Sequence, residues 1–147
     1  MGRLKLPKAG LIYIDAQIPI YCTDNHPTYK ALCAPIWQAS GVVLVVSSEL
    51  TLMETLVVPM REGNNLIARA RMALWDQEHT RLLPITKEIL VEAARLRATI
   101  PGLKTPDAIH AATALHHHCS LFVTNDSGFR RVPGLPLAIL DDVLAAG

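Results

Sequence analysis

Cysteine is scarce in this sequence and badly placed for cross-linking: Cys22, Cys33 and Cys119 are odd in number and widely separated. That pattern carries neither a disulfide framework nor the paired thiolates of a zinc site. Free cysteines of this kind suit a reducing compartment, where they serve as small apolar side chains. Aromatic residues are also few, at 5%, so Ala, Leu, Ile and Val are expected to supply most of the core. No apolar run approaches the roughly 20 residues of a membrane span, the longest in a strand-like setting being residues 42–46. The basic stretch 1–10 is not followed by the apolar core and cleavage pattern of a secretion signal. A soluble, cytoplasmic protein without a membrane segment is therefore expected. Nor does one sign of charge dominate: the net charge is +1, which neither demands nor excludes a polyanionic partner.

What is present is ample apolar material. Half of the 147 residues are hydrophobic and only 18% are charged, a composition that excludes disorder and fits one compact α/β domain over residues 1–147. Leu11-Ile12-Tyr13-Ile14-Asp15 reads as a buried strand with an acid at its end. A helix is expected from Asn25 or Pro27 to about Ser40. Residues 42–46 are continuous and β-branched, as a central parallel strand requires. Ser47 or Ser48 can cap the next helix, with Leu50, Met53, Leu56 and Val57 at helical spacing. Asn64 or Asn65 opens another helix, running to Trp75. Residues 82–85 form a short strand whose Pro84 argues for an edge position. Thr86 caps a helix with the stripe Ile89, Leu90, Ala93 and Leu96. Thr105-Pro106 starts an Ala-rich helix, and residues 121–124 and 137–140 complete the strands. Alternating strands and helices imply a mainly parallel sheet covered on both faces.

In such a fold four acids fall where chemistry is usually found. Asp15 ends the first strand, Glu54 lies early in the helix after the second, Asp107 sits in the first turn after Thr105-Pro106, and Asp126 follows residues 121–124. Strand ends and helix starts meet at the carboxyl edge of a parallel sheet. Carboxylates gathered there repel one another, and a divalent cation removes that penalty. Each acid also has an ordinary reading. Asp15 fits a strand-end turn, Glu54 fits a Thr-x-x-Glu capping box with Thr51, Asp107 suits a helix dipole, and Asp126 suits turn chemistry. The set in its order carries more than any member.

The segments Ile12-Tyr13-Ile14-Asp15, Ser48-Glu49-Leu50-Thr51-Leu52-Met53-Glu54-Thr55-Leu56, Lys104-Thr105-Pro106-Asp107-Ala108-Ile109-His110-Ala111-Ala112 and Phe122-Val123-Thr124-Asn125-Asp126-Ser127-Gly128-Phe129 together resemble the PIN-domain family, and within it the VapC-type toxins. The resemblance implies a three-layer α/β/α PIN-like fold and an Mg²⁺- or Mn²⁺-dependent ribonuclease that hydrolyses RNA to 5′-phosphate and 3′-hydroxyl ends. It assigns Asp15, Glu54, Asp107 and Asp126 to catalysis and metal binding, with Thr124 as a water-orienting neighbour. It further implies a homodimer and a small cognate antitoxin that covers the site. Glu49, largely off the face of Glu54, is expected at the helix start and outside the metal site.

Other residues are weighed beside these. Arg130 and Arg131 follow Asp126 closely enough to hold phosphates, or are ordinary loop charge. His116-His117-His118 cannot chelate one ion from consecutive helical positions. Trp37, Trp75 and Tyr29 are read as core rather than as a partner groove. The alternative functions are a non-catalytic RNA- or protein-binding module on the same fold and a phosphoacceptor signalling domain. The latter needs an acidic pair near the first strand and a lysine after a late one, and the sequence has neither. A dehalogenase-like phosphatase fails because Asp15-Ala16-Gln17 lacks its second aspartate.

Overall fold

Parallel strands buried on both faces need side chains that are apolar in both directions, and strand β1 (Gly10–Ile14) meets that demand with Ile12, Tyr13 and Ile14, all fully buried. The computed structural model, which describes residues 2–39 and 42–147, continues with helices α1 (Gln17–Thr23) and α2 (Tyr29–Trp37), strand β2 (Val43–Ser48), and helices α3 (Glu49–Arg61) and α4 (Asn65–Ala73). Strand β3 (Thr80–Leu83), helices α5 (Lys87–Thr99) and α6 (Thr105–His116), strands β4 (Leu121–Thr124) and β5 (Leu137–Ile139), and helix α7 (Leu140–Ala145) complete the order. The five strands form one sheet in the order β3-β2-β1-β4-β5, and every pairing is parallel. The expected mainly parallel sheet is therefore wholly parallel, with β1 at its centre.

Alternation along the strands divides the core into two layers. Tyr13, Val46 and Phe122 pack with Ile89, Ala93 and Leu96 of α5 and the alanines of α6. Ile12, Ile14, Val45 and Val123 pack on the other face with Ile18 of α1, Leu32, Cys33 and Ile36 of α2, and Leu140 of α7. Few aromatics does not mean a core without them. Tyr13 stacks on Phe122 at 4.9 Å between ring centroids, and Phe122 meets Phe129 at 4.7 Å. Trp37, Trp75 and Tyr29 pack partly buried against the second layer.

Several starts and stops follow from local chemistry. Ser48 caps α3 by accepting from the Leu50 N–H, Asn64 caps α4 through Ile67, and Thr86 caps α5 through Ile89. Strand β3 lies at an edge as expected, but it spans Thr80–Leu83 rather than 82–85, so Pro84 follows it instead of lying within it. Three further expectations need correction. Helix α1, for which no element was expected, lies between Asp15 and Asn25, and the helix expected from Asn25 or Pro27 starts at Tyr29 and ends at Trp37; the expected end at Ser40 lies outside the described residues. Strand β2 runs two residues further than expected, to Ser48. Finally, Met53 and Val57 of α3 face outward, as does Leu90 of α5, while Thr51, Thr55 and Pro59 turn inward.

Pro59 inside α3 has no N–H to give the carbonyl of Thr55 one turn earlier. The buried Arg71 of α4 replaces it. Its Nη1 donates to the Thr55 carbonyl at 2.8 Å, its Nε to the Thr23 hydroxyl at 2.9 Å and its Nη2 to Asp24 at 2.7 Å. One side chain thus fastens α1, α3 and α4. Arg71→Met should lower stability by about 2 kcal/mol or more, since it strands a buried acceptor. Adding Pro59→Ala should return about 1 kcal/mol in that background by restoring the helical N–H, and less in the wild type. A double-mutant cycle by urea denaturation checks this, and strict additivity would show that Arg71 does not act through that carbonyl.

Candidate active site

The carboxyl ends of β1, β2 and β4 lie at one end of the sheet, and the helices leaving or approaching them carry the acids. The register pairs Ile14 with Val123, so Asp15, one residue on, comes beside Thr124. Asp15 is only 5% exposed. Its Oδ2 accepts from the Thr124 hydroxyl and its Oδ1 from the Gln17 N–H at 3.1 Å. Thr124 Oγ1 in turn accepts from the Asp126 N–H at 3.0 Å, and Asp126 Oδ1 accepts from the Gly128 N–H at 2.8 Å. One buried hydroxyl therefore couples the end of β1 to the turn after β4.

Glu54 arrives from α3. Its Oε1 lies 2.6 Å from Nε2 of His110, whose Nδ1 lies 2.6 Å from the Tyr13 hydroxyl. The capping-box reading of Glu54 fails, because the cap of α3 is Ser48, and Thr51 instead hydrogen-bonds Ser47 at 2.6 Å. Asp107 stands in the first turn of α6, half-buried, three residues before His110 and so on the same side of the helix. Asp15, Glu54, Asp107 and Asp126 line one small cleft of about 110 Å³ with Ala16, Gln17 and His110. A larger cavity of about 550 Å³, between α1 and α2, contains no acidic residue and stands apart from this chemistry.

Charge in the cleft is poorly compensated, as no Lys or Arg lines it. Burial lifts the Asp15 carboxyl to about 6, against the opposing hydrogen bond from Thr124, and the Glu54 charge pushes the same way as burial. Asp107 is raised by burial first and by the charge of Asp126 second. Such a site fits a hard divalent cation in its donor set, which is entirely carboxylate oxygen. Among the described residues no three Asp, Glu, His or Cys side chains form a ready-made cage. Mg²⁺ does not require one, since it keeps several waters and takes one or two carboxylates directly.

The remaining expected residues fall elsewhere. Thr124 is fully buried and holds Asp15. Arg130 pairs with Asp142, and Arg131 donates to the carbonyls of Gly128 and Pro101. Neither lines the cleft. Glu49 accepts from the Ile85 N–H at 3.2 Å, at the start of α3 and outside the cleft. His110 and Gln17 are members that the sequence reading passed over. His110 was signalled by its spacing of three from Asp107, whereas Gln17 belongs to a helix that the sequence hid.

Residues 12–135 match the family model of the PIN domain. The chain belongs to the PIN-domain family. No curated protein matches this PIN chain by sequence. Among solved structures it is similar to a toxin–antitoxin complex from Klebsiella pneumoniae, with 26% identity and a TM-score of 0.61 over 84% of this chain and 94% of that one. It is also similar to VapBC2 from Rickettsia felis bound to a DNA fragment from its promoter, with 15% identity and a TM-score of 0.69 over 88% and 98% of the two chains. VapBC-1 from nontypeable Haemophilus influenzae gives 19% identity and a TM-score of 0.69 over 89% and 98%. At these identities the Rickettsia and Haemophilus likenesses are likenesses of fold. No helix among the described residues is long and apolar enough to cross a membrane.

The displaced Asp15 carboxyl has a measurable consequence in the metal-free protein. Below about pH 4 the carboxyl is protonated whether the chain is folded or unfolded, and it contributes nothing. As pH rises towards 6 the unfolded chain releases this proton first, so stability falls. A displacement from 3.8 to about 6 corresponds to about 3 kcal/mol as an order of magnitude. Asp15→Asn should therefore melt higher than wild type in EDTA at pH 7 to 8, by several degrees, and equally at pH 4. A difference in Tm that does not change across that range would remove Asp15 ionisation as its cause.

Proposed function

We propose that this PIN protein is a metal-dependent endoribonuclease and the toxin of a toxin–antitoxin pair, acting in the cytoplasm. The observation that carries the reading is the meeting of Asp15, Glu54, Asp107 and Asp126 around one cleft that no Lys or Arg lines. Membership of the PIN family and likeness to a Klebsiella toxin–antitoxin complex support it.

These four carboxylates would hold Mg²⁺ or Mn²⁺, which when bound polarises a phosphodiester and makes water a better nucleophile near neutral pH. The protein's part is to present carboxylate oxygens that are already oriented. Thr124 and the Gln17 N–H fix both oxygens of Asp15, the Gly128 N–H fixes one oxygen of Asp126, and His110 fixes one of Glu54. Prior orientation removes a reorganisation that would otherwise add to the barrier. Because the cleft is small and acidic, RNA enters through its phosphate only once that negative charge is balanced. Partners follow the same reading: a small antitoxin covers the cleft, and a second copy of the chain docks on a helical face. The stripe Met53, Val57 and Met60 on α3, 58%, 42% and 62% exposed, supports such docking.

Glu54→Gln should reduce metal-dependent cleavage of an RNA panel by more than about 100-fold, since partners of a metal ligand alone account for about 10- to 100-fold. Glu49→Gln should remain within a few-fold of wild type. Both variants should fold, as read by circular dichroism. Loss of activity in Glu49→Gln with retention in Glu54→Gln would reverse the assignment on α3. For assembly, Val57→Asp should convert a dimer to a monomer in light scattering without loss of fold. A dimer unchanged by that substitution places the interface elsewhere.

A further inference from the structure

Tyr13 lies behind the acidic cleft and His110 in its wall, neither belongs to the acid set, and both are buried. Their hydrogen bonds leave little freedom of assignment. The Ser48 N–H donates to Tyr13 Oη at 3.1 Å. The nearby Ser47 hydroxyl donates to the Ile14 carbonyl at 2.6 Å and so does not direct its proton at Tyr13. The Tyr13 O–H is then left to point at His110 Nδ1, 2.6 Å away. A ring whose Nδ1 accepts carries its proton on Nε2, and Nε2 faces Glu54 Oε1 at 2.6 Å. With the proton on Nδ1 instead, Tyr13 Oη would face two N–H donors, its own proton would lack an acceptor, and Nε2 would meet the carboxylate lone pair to lone pair. Nor can the phenol swing away: it is stacked on Phe122 with 9° between the ring planes, and it meets the His110 ring edge-on at 71°.

We infer that Tyr13 and His110 are positioning residues of the nuclease site: the Tyr13 hydroxyl fixes His110 as the neutral Nε2–H tautomer, and that N–H holds the Glu54 carboxylate in the cleft. The inference rests on the reading of the cleft as a metal-dependent nuclease site. It gives Glu54, the one acid of the four carried on the mid-portion of a long helix, the same two-layer support that Asp15 receives from Thr124. The chain Ser48 N–H, Tyr13, His110, Glu54 also begins and ends on α3 or its cap, so it closes a loop through β1 and α6 back to the helix it orients.

The test uses the whole protein. Nitrogen-15 labelling of its six histidines and long-range proton–nitrogen correlation, with His110 assigned by its loss in His110→Gln, reads the tautomer directly. Mn²⁺ affinity is read from the free-ion electron paramagnetic resonance signal. The wild type should show the Nε2–H pattern. Tyr13→Phe, which keeps the stack on Phe122, should lose the single tautomer and bind Mn²⁺ about tenfold more weakly or worse. His110→Leu should lose at least as much. His110→Gln, which keeps an amide donor near the Nε2 position, should lose less, and Tyr13→Phe should add nothing further in the His110→Leu background. A purely structural tie between α3 and α6 would move none of the tautomer, rescue or non-additivity results. An Nδ1–H tautomer in the wild type, or unchanged Mn²⁺ affinity in folded Tyr13→Phe and His110→Leu, overturns the inference. Should His110→Leu fail to fold, the tautomer and the Tyr13→Phe and His110→Gln affinities decide it alone. A wild type that binds no Mn²⁺ overturns the metal reading of the cleft and the positioning role with it, whereas tight binding indifferent to all three variants overturns only the positioning role.

Discussion

A carboxylate at the end of the central strand has almost no water to solvate it, and the position of Asp15 places that difficulty at the middle of the fold. Strand β1 is flanked on both sides by other strands and covered on both faces by helices, so its last residue looks into the crevice where the sheet ends. Everything near Asp15 bears on that charge. Thr124 and the Gln17 amide donate to it, and Glu54, Asp107 and Asp126 share its cleft, which no lysine or arginine lines. Hydrogen bonds orient such a charge but only partly replace its hydration. The site is therefore organised and electrostatically incomplete, which is the condition in which a hard cation gains most from binding.

Orientation in this protein is passed from layer to layer. Thr124 serves Asp15 and the Asp126 backbone at once, and Tyr13 serves the core through its ring and the cleft through its hydroxyl. Arg71 does the same for the helices, since it stands in for the N–H that Pro59 lacks and ties α4 to α1 and α3. Three groups of different chemistry thus do one kind of work: each fills a hydrogen-bonding need created by a neighbour and, in filling it, fixes the relative placement of two elements.

The sequence made most of the strands legible, because a fully buried parallel strand is a short continuous apolar run, and made most helix starts legible through Ser48, Asn64, Thr86 and Pro106. It hid α1, which has no capping side chain, is seven residues long and carries Pro19 in its first turn, each a feature that reads as loop. It suggested a buried stripe on α3 from apolar spacing alone, of which Leu56 is buried but Met53 and Val57 are not, and the rest of the inward face is built from Thr51, Thr55 and Pro59. The four acids were legible as strand-end and helix-start positions and as motif positions of the PIN family. Their hydrogen-bond partners were not. Thr124 could be suspected from its neighbour Asp126, but the union of Tyr13 with His110 spans 97 positions and leaves no trace in local pattern. Arg71 is invisible for a similar reason: the acceptor that needs it is freed by a proline in another helix.

The sheet ends on both sides in very short strands, β3 with four residues and β5 with three. Pro84 removes one donor just past the first of them. An edge this brief offers few unpaired backbone groups to an incoming strand, so the ladder has little capacity to continue into another molecule. Association by strand addition, and the fibrillar aggregation that follows from it, is thereby disfavoured by the length of the edges alone. What the fold presents outward is then mainly helix and loop, with the five-stranded sheet as its interior scaffold.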